Sequence, residues 1–279
     1  MKLVFEMSTV KTDKEIAFLH DLFVATDWGE RFAALIDENI TLPDKGRVLY
    51  LGSGTGSHVL ALAERAGDKL SFVCVEEHEE YLEIARSKAT VENVAVEFRL
   101  GRIDKLSFAE DEFDAVIGDG SLVSPARVES MLKEMVRVAR PGAAVAFVLT
   151  TASSFGEFFS IYWELLHSSG LEQESNVETL ISELQSVSEI EEAAENAGLE
   201  GVTSVSRIEE FHYDSGEQFV NSPLVADFLM KRWIESLPEY GRAQVIAEIP
   251  RLVDEDRQQA DFIFSVKATL VSGPKAQTH

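Results

Sequence analysis

The stretch "LYLGSGTGSH", residues 49–58, places a glycine at every second position directly after an apolar run. Glycine has no Cβ, so a backbone that carries Gly52, Gly54 and Gly56 can turn tightly and admit a ligand at close range. The apolar run predicts a strand, and residues 57–66 predict a helix that begins at the loop. A strand, a glycine turn and a helix N-terminus form a ligand site at the carboxyl edge of an open sheet.

The spacing of these glycines separates three classes of ligand site. A phosphate-binding loop needs a lysine and a hydroxyl at a fixed spacing that this stretch lacks, and a dinucleotide loop needs glycine where Ser57 stands. Glu76, at the end of the next predicted strand, is placed to accept hydrogen bonds from both ribose hydroxyls of either an NAD or an adenosyl ligand. The spacing favours the adenosyl ligand and leaves an NAD-dependent oxidoreductase as a less favoured class.

Strands and helices alternate along the first half of the chain. This alternation predicts a doubly wound α/β fold with a mostly parallel sheet and right-handed crossovers. The predicted strands are 47–52, 70–76, 94–100, 113–119, 143–150, 201–211 and 261–271, and the predicted helices are 13–39, 57–66, 78–90, 125–139, 155–169 and 177–197.

We expect a single domain over residues 1–279. Its predicted parts are an N-terminal helical lid (1–42), a cofactor-binding core (46–150), a substrate-side half (151–271) that contains a helical insertion before the last strand (215–258), and a loose tail (272–279).

The composition excludes several functions. The chain has 49 Asp and Glu against 25 Lys and Arg, a net charge of −24, which repels phosphate backbones and disfavours a nucleic-acid substrate. The acidity favours solubility or the binding of a basic partner protein, and the sequence leaves a homo-oligomer open.

A lone cysteine, Cys74, and six scattered histidines predict no disulfide and no metal site. No apolar run has the length of a signal peptide or a membrane span, so we expect a cytoplasmic protein.

Five stretches in order resemble a known family. They are "VLYLGSGTGSHVLALA", "FVCVEEHEEYLEIARSKA", "LGRIDKLSFAEDEFDAVIGDGSL", "MLKEMVRVARPGAAVAFV" and "SVSEIEEAAENAGLEGV". Over residues 25–211 the chain resembles the class I S-adenosylmethionine-dependent methyltransferases, especially the small-molecule branch that includes quinone-biosynthesis enzymes. The resemblance implies a Rossmann-like fold of seven strands, S-adenosylmethionine as cofactor and a small-molecule methyl acceptor.

The resemblance also implies roles for individual residues. The glycine loop would hold the methionine part of the cofactor, Glu76 the ribose, and the residues after the second and third strands the adenine, while Asp119 would lie near the sulfonium. The residues with implied cofactor contacts are Gly52, Ser53, Gly54, Gly56, Glu76, Glu77, His78, Arg102, Ile103 and Asp119.

Two positions depart from the family pattern. Tyr50 and Arg102 stand where the family usually has aspartate. Arginine has only donors, so Arg102 cannot accept from the adenine amino group, and Asp104 is the nearest substitute. These departures, together with the acidity, support a second hypothesis, a non-catalytic relative with weakened or lost cofactor binding that acts as an interaction module.

Methyl transfer from a sulfonium is an in-line displacement that needs a general base only where the acceptor holds its proton at neutral pH. The candidate bases are His58, Asp119, His212 and Tyr213. Aromatic residues of the insertion, such as Phe219, either line an apolar substrate pocket or pack the insertion. The first hypothesis is therefore a methyltransferase for a small, largely apolar molecule.

Overall fold

The computed structural model describes residues 11–256 and 261–277, in which seven strands form one sheet. The strands are β1 (Gly46–Leu51), β2 (Leu70–Glu76), β3 (Val96–Leu100), β4 (Phe113–Gly120), β5 (Ala139–Thr150), β6 (Thr203–Tyr213) and β7 (Phe262–Pro274). Their order is β3–β2–β1–β4–β5–β7–β6, and β7 runs antiparallel to both of its neighbours while the other pairs are parallel. The predicted doubly wound fold is confirmed.

Helices cover both faces of this sheet. The α-helices of the described residues are α1 (Asp13–Leu19), α2 (Glu30–Asn39), α3 (Ser57–Ala66), α4 (Glu79–Glu92), α5 (Pro125–Val138), α6 (Gly156–Ser169), α7 (Val177–Ser182), α8 (Val187–Ala197), α9 (Gly216–Asn221), α10 (Met230–Ile234) and α11 (Glu239–Asp256). A π-helical segment, His20–Gly29, joins α1 to α2, and another, Leu224–Leu229, precedes α10.

The centre of the sheet is buried on both sides, as the apolar runs predict. In β1 the residues from Val48 to Leu51 are at most 2% exposed. β1 pairs with β2 on one side and with β4 on the other, so the direction of winding reverses between β1 and β4. Such a reversal opens a crevice at the carboxyl ends of the strands, where ligands bind in this kind of sheet.

The N-terminal helices are fastened to that carboxyl edge by Trp28. Its indole ring is stacked with Phe32 at 4.9 Å and with Phe211 of β6 at 5.5 Å between ring centroids. The indole Nε1–H donates to the hydroxyl of Ser121, which follows β4, at 2.9 Å. Trp28 therefore packs as a core residue and positions α2 over the crevice.

The insertion between β6 and β7 contributes an aromatic core. Trp233 is stacked with Phe158 at 4.2 Å, and Phe219 contacts Tyr213 and Phe262 with ring centroids 5.1 and 5.0 Å apart. Phe219 is 0% exposed. The sequence left open whether the aromatic residues of the insertion line a substrate pocket or pack the insertion. Phe219 and Trp233 pack it.

The prediction of a loose tail is wrong for residues 272–277. β7 continues to Pro274 because its pairing with β5 extends to Ala144. Beyond the strand, the Lys275 amide donates to the Ala143 carbonyl at 3.0 Å, and the Ala276 amide donates to Gly198 at 2.8 Å. Residues 272–277 have no alternating apolar pattern, so the pairing could not be predicted from the sequence.

The predicted helix 177–197 is two helices, α7 and α8. Ser186 and Glu189 form a reciprocal capping box, in which each side chain accepts from the other residue's backbone N–H, at the start of α8. The capping box satisfies orphan donors of the first turn, so it begins a new helix inside the apolar pattern.

We expect Phe219→Ala to lower the free energy of unfolding by about 3–5 kcal/mol, since it removes a fully buried ring from a packed core. Urea unfolding followed by tryptophan fluorescence measures this change. Phe18→Ala is the control, because Phe18 is 58% exposed and its removal should cost no more than about 0.5 kcal/mol. Similar losses in the two variants would contradict the packing role.

Candidate active site

A cavity of about 520 Å³ lies at the carboxyl edge of the sheet, between the glycine loop and the N-terminal helices. This volume is typical of sites for small molecules and cofactors. The cavity is lined by most of the residues that the sequence singled out, namely Gly52, Ser53, Gly54, His58, Glu76, Glu77, His78, Ile103 and Asp119. The structure thus brings together residues that follow four different strands.

The glycine loop needs bare backbone at each of its three positions, for different reasons. All three glycines have positive φ, between 54° and 84°. A Cβ at Gly52 would collide with the carbonyl oxygen of Asp119, and a Cβ at Gly54 would lie 2.5 Å from the ring of His20. Gly56 does not line the cavity, in contrast to the prediction, because it packs against Ala85 of α4.

Glu76 ties the loops after β1 and β2 together. Its Oε2 accepts from the amide of Gly54 at 3.0 Å, and its Oε1 accepts from the amide of Glu77 at 2.7 Å. Oε1 also lies 3.1 Å from Nδ1 of His78, and this hydrogen bond raises the pKa of His78. Oε2 carries one hydrogen bond from the described residues, so it retains a lone pair for a hydroxyl donor in the cavity.

Arg127, on the first turn of α5, organises the adjacent part of the wall. Its guanidinium forms a bidentate pair with Glu77 at 2.7 and 2.8 Å, and its Nε donates to Asp104 at 2.8 Å. The guanidinium lowers the pKa of Glu77. No sequence motif marks Arg127 as a cavity residue, since only the packing of α5 beside the loop after β3 brings it to the cavity.

The expected role of Arg102 is not supported. Its side chain is 67% exposed, pairs with Asp104 at 2.9 Å and does not line the cavity. Asp104 pairs with Arg102 and Arg127 and does not line the cavity either. It therefore does not take the place of the adenine-binding aspartate that the resemblance implies. Ile103, which lies between these two residues in the sequence, does line the cavity. Its amide donates to the Glu77 carboxylate at 3.4 Å.

Asp119 lies at the end of β4 beside the glycine loop. Its Oδ1 accepts from the amide of Ser121 at 2.9 Å. Burial raises the pKa of Asp119 to about 6. A carboxyl group with this pKa exchanges a proton near neutral pH, so Asp119 keeps its place among the candidate bases.

Tyr50 and His58 are joined in a chain of hydrogen bonds. Tyr50 Oη lies 2.9 Å from His58 Nδ1, and His58 Nε2 lies 3.1 Å from Asp37 Oδ1. Arg65 donates to both carboxylate oxygens of Asp37, at 2.5 and 3.3 Å. Tyr50, His58 and Asp37 all line the cavity. Thus a tyrosine stands where the family usually has an acid, and it is linked to an acid through a histidine.

His20 covers the glycine loop from the N-terminal side. Its ring contacts Tyr81 and Phe228, with centroids 4.8 and 5.5 Å away. Burial lowers the pKa of His20 to about 4, and its Nδ1 has no hydrogen-bond partner among the described residues. The next residue, Asp21, accepts from Thr55 at 2.6 Å. The periodicity of the first helix did not identify His20 as a cavity residue.

The remaining candidate bases, His212 and Tyr213, do not line the cavity. His212 is exposed on the edge strand β6, and Tyr213 packs against Phe219. The reason is topological, since β7 lies between β5 and β6 and moves the end of β6 away from the crevice.

Part of the chain is similar to a known protein family. Residues 48–142 match the family model of a methyltransferase domain. A ubiquinone/menaquinone biosynthesis C-methyltransferase, UbiE, of Geotalea daltonii is 26% identical over 134 residues, which are 47% of this chain and 56% of that protein. The chain spans between 42% and 59% of the length of the first curated relatives that it matches.

Solved structures share the architecture. The YcgJ protein of Bacillus subtilis has a TM-score of 0.58 and 19% identity, covering 89% of this chain and all of that one. Phosphoethanolamine N-methyltransferase 2 of Haemonchus contortus, solved with S-adenosylhomocysteine, has a TM-score of 0.56 and 15% identity, covering 96% of this chain and 59% of that one. The match over residues 48–142 and the shared fold confirm the resemblance to the class I methyltransferases. Within that class, the sequence relatives include quinone-biosynthesis enzymes.

We expect Asp119→Asn to change how stability depends on pH. The folded protein holds the Asp119 proton with a pKa of about 6, above the ordinary 3.8, so the stability that this proton provides at acidic pH is lost as pH rises through 6. Asparagine does not titrate. Relative to the wild type, the variant should therefore gain about 1–3 kcal/mol in free energy of unfolding between pH 4 and pH 8.

Urea unfolding at the two pH values measures this difference. Asp68→Asn, at an exposed site, is the matched control and should follow the wild type. If Asp119→Asn also ran parallel to the wild type, the buried carboxyl would not have a raised pKa.

Proposed function

We propose that this protein is an S-adenosylmethionine-dependent methyltransferase that acts on a small, largely apolar molecule. The observation that carries the proposal is the single cavity wall formed by the glycine loop and Glu76, joined by the hydrogen bond from the Gly54 amide. The methyltransferase family match over residues 48–142 supports it, and so does the shared fold with an enzyme solved with S-adenosylhomocysteine.

The residues present suit this cofactor, which supplies an activated methyl group when bound. The free lone pair of Glu76 suits a ribose hydroxyl, and the bare backbone at Gly52 and Gly54 suits the methionine part. Ile103 offers an apolar contact for the adenine. Nδ1 of His20 has no hydrogen-bond partner among the described residues, so a ligand group could bond to it. Buried polar atoms are seldom without a partner.

The acceptor is inferred from the other part of the cavity wall. There the side chains are mostly aliphatic or aromatic, which favours a small molecule with a large apolar surface. These residues are Val24, Ala25, Trp28, Ala33, Ala34, Ala61, Leu122, Val123 and Phe228. A cytoplasmic location stays a prediction from the sequence.

The alternative of a non-catalytic interaction module rests on the departures at positions 50 and 102 and on the acidity. Arg102 lies outside the cavity wall and pairs with Asp104, so its side chain does not obstruct the cavity. Tyr50 is the other departure, and its hydrogen bond to His58 gives it a partner within the site. An NAD-dependent oxidoreductase remains the less favoured class because the glycine spacing does not match it.

The proposal predicts that calorimetric titration detects S-adenosylmethionine and S-adenosylhomocysteine binding. Glu76→Gln should weaken both by about tenfold to a hundredfold, since one hydrogen bond to a charged group is worth about 1–3 kcal/mol. Glu79→Gln is the control, three residues further on and with its side chain 46% exposed, and its affinities should equal those of the wild type.

No heat at millimolar concentrations of either compound would contradict the proposal. Binding of reduced nicotinamide cofactor in their place would favour the oxidoreductase. Circular dichroism checks that both variants keep the fold.

A further inference from the structure

We propose that Tyr50, His58 and Asp37 form a proton relay in which Tyr50 is the catalytic residue that takes the proton of a hydroxyl-bearing methyl acceptor. This inference rests on the proposed methyltransferase function and adds to it the chemical class of the acceptor's nucleophile. It also gives the departure at position 50 a chemical purpose.

The geometry is that of a nucleophile-activating triad with tyrosine as its first member. Two hydrogen bonds, of 2.9 and 3.1 Å, join the phenol oxygen to the imidazole and the imidazole to the carboxylate. With the ring proton on Nε2 and donated to Asp37, Nδ1 is the acceptor for the Tyr50 hydroxyl. The Tyr50 oxygen then keeps its lone pairs for a donor in the cavity.

The relay leads from the interior of the protein to its surface. Tyr50 is 2% exposed, whereas the side chains of His58, Asp37 and Arg65 are 14%, 33% and 56% exposed in that order. The imidazole that takes up the proton therefore lies nearer to water than Tyr50 does.

Burial favours the neutral resting state of the relay, and for His58 it outweighs the opposing effect of the Asp37 carboxylate. Asp37 and Arg65 face His58 from α2 and α3, and burial lowers the pKa of His58 below its ordinary value. Asp119 of β4 and Cys74 of β2 face Tyr50, whose pKa burial raises. The histidine is thus neutral near pH 7 and free to accept a proton.

The chemistry balances as follows. The O–H bond of the acceptor breaks, its proton goes to the Tyr50 oxygen, and the proton of Tyr50 goes to His58 Nδ1. The oxygen's electron pair forms the new bond to the methyl carbon, and the pair of the broken carbon–sulfur bond stays on sulfur. Asp37 stabilises the imidazolium that results, which is the role that a carboxylate has behind a catalytic histidine.

An aromatic amine does not need the relay, because its nitrogen already has a free lone pair at neutral pH. The relay therefore predicts a preference for hydroxyl over amine when the two acceptors have the same shape. A general base in such a position contributes about a hundredfold to ten-thousandfold in rate.

The test uses 1-naphthol and 1-naphthylamine as a matched pair of acceptors, with formation of S-adenosylhomocysteine as the readout. We expect the wild-type protein to methylate the naphthol in preference. Tyr50→Phe, His58→Gln and Asp37→Asn should each lower kcat for the naphthol at least about a hundredfold, change its pH profile and leave the calorimetric affinity for S-adenosylmethionine within about threefold.

Glu38→Gln is the control variant, because Glu38 is the neighbour of Asp37, pairs with Arg207 and lies outside the cavity wall. It should behave as the wild type. A second readout needs no turnover: ¹⁵N NMR of the histidine side chains should show His58 as the Nε2–H tautomer, with its pKa below 6.5, and Tyr50→Phe should alter the Nδ1 shift.

Three results would overturn the relay. They are unchanged naphthol rates in all three variants, equal or faster transfer to the amine, and no transfer to the naphthol by a wild-type protein that binds S-adenosylmethionine. A protein that does not bind S-adenosylmethionine would instead overturn the proposed function, and the relay with it.

Discussion

The hydrogen bond from the Gly54 amide to Glu76 is the interaction on which the site depends. It joins the turn after β1 to the end of β2, and the Gly52 amide adds a second link to the Val75 carbonyl at 3.0 Å. Both links require the backbone to turn where a Cβ would collide with Asp119 or His20. The turn therefore fixes the ends of β1, β2 and β4 relative to one another, and with them the cavity residues that these strands carry.

The N-terminal helices complete the cavity, and they are held by polar contacts with the same turn. Asp21 receives a hydrogen bond from Thr55 and pairs with Lys88, which in turn donates to Ser57 at 2.9 Å. Trp28 fixes the other end of the segment against Ser121. These contacts hold the N-terminal helices over the glycine loop, where they form one wall of the cavity.

At position 50, where the resemblance implies an aspartate, this chain has a tyrosine that His58 links to the carboxylate of Asp37. A phenol in contact with the cavity costs less to bury than an ionised carboxylate, since a buried charge needs full compensation. Asp37 obtains that compensation nearer the surface, from Arg65.

The sequence alone determined the order of strands and helices and the ligand loop, because periodicity and glycine spacing are local properties of the chain. It also identified Glu76, Glu77 and Asp119 as cavity residues, because they lie at the carboxyl ends of parallel strands that meet at one edge of the sheet. It did not identify His20, Asp37 or Arg127 as cavity residues. It also predicted site roles for Arg102, His212 and Tyr213, which lie outside the cavity wall. Only the tertiary structure decided these, because the direction of a side chain at a strand or helix end depends on which distant element packs against it.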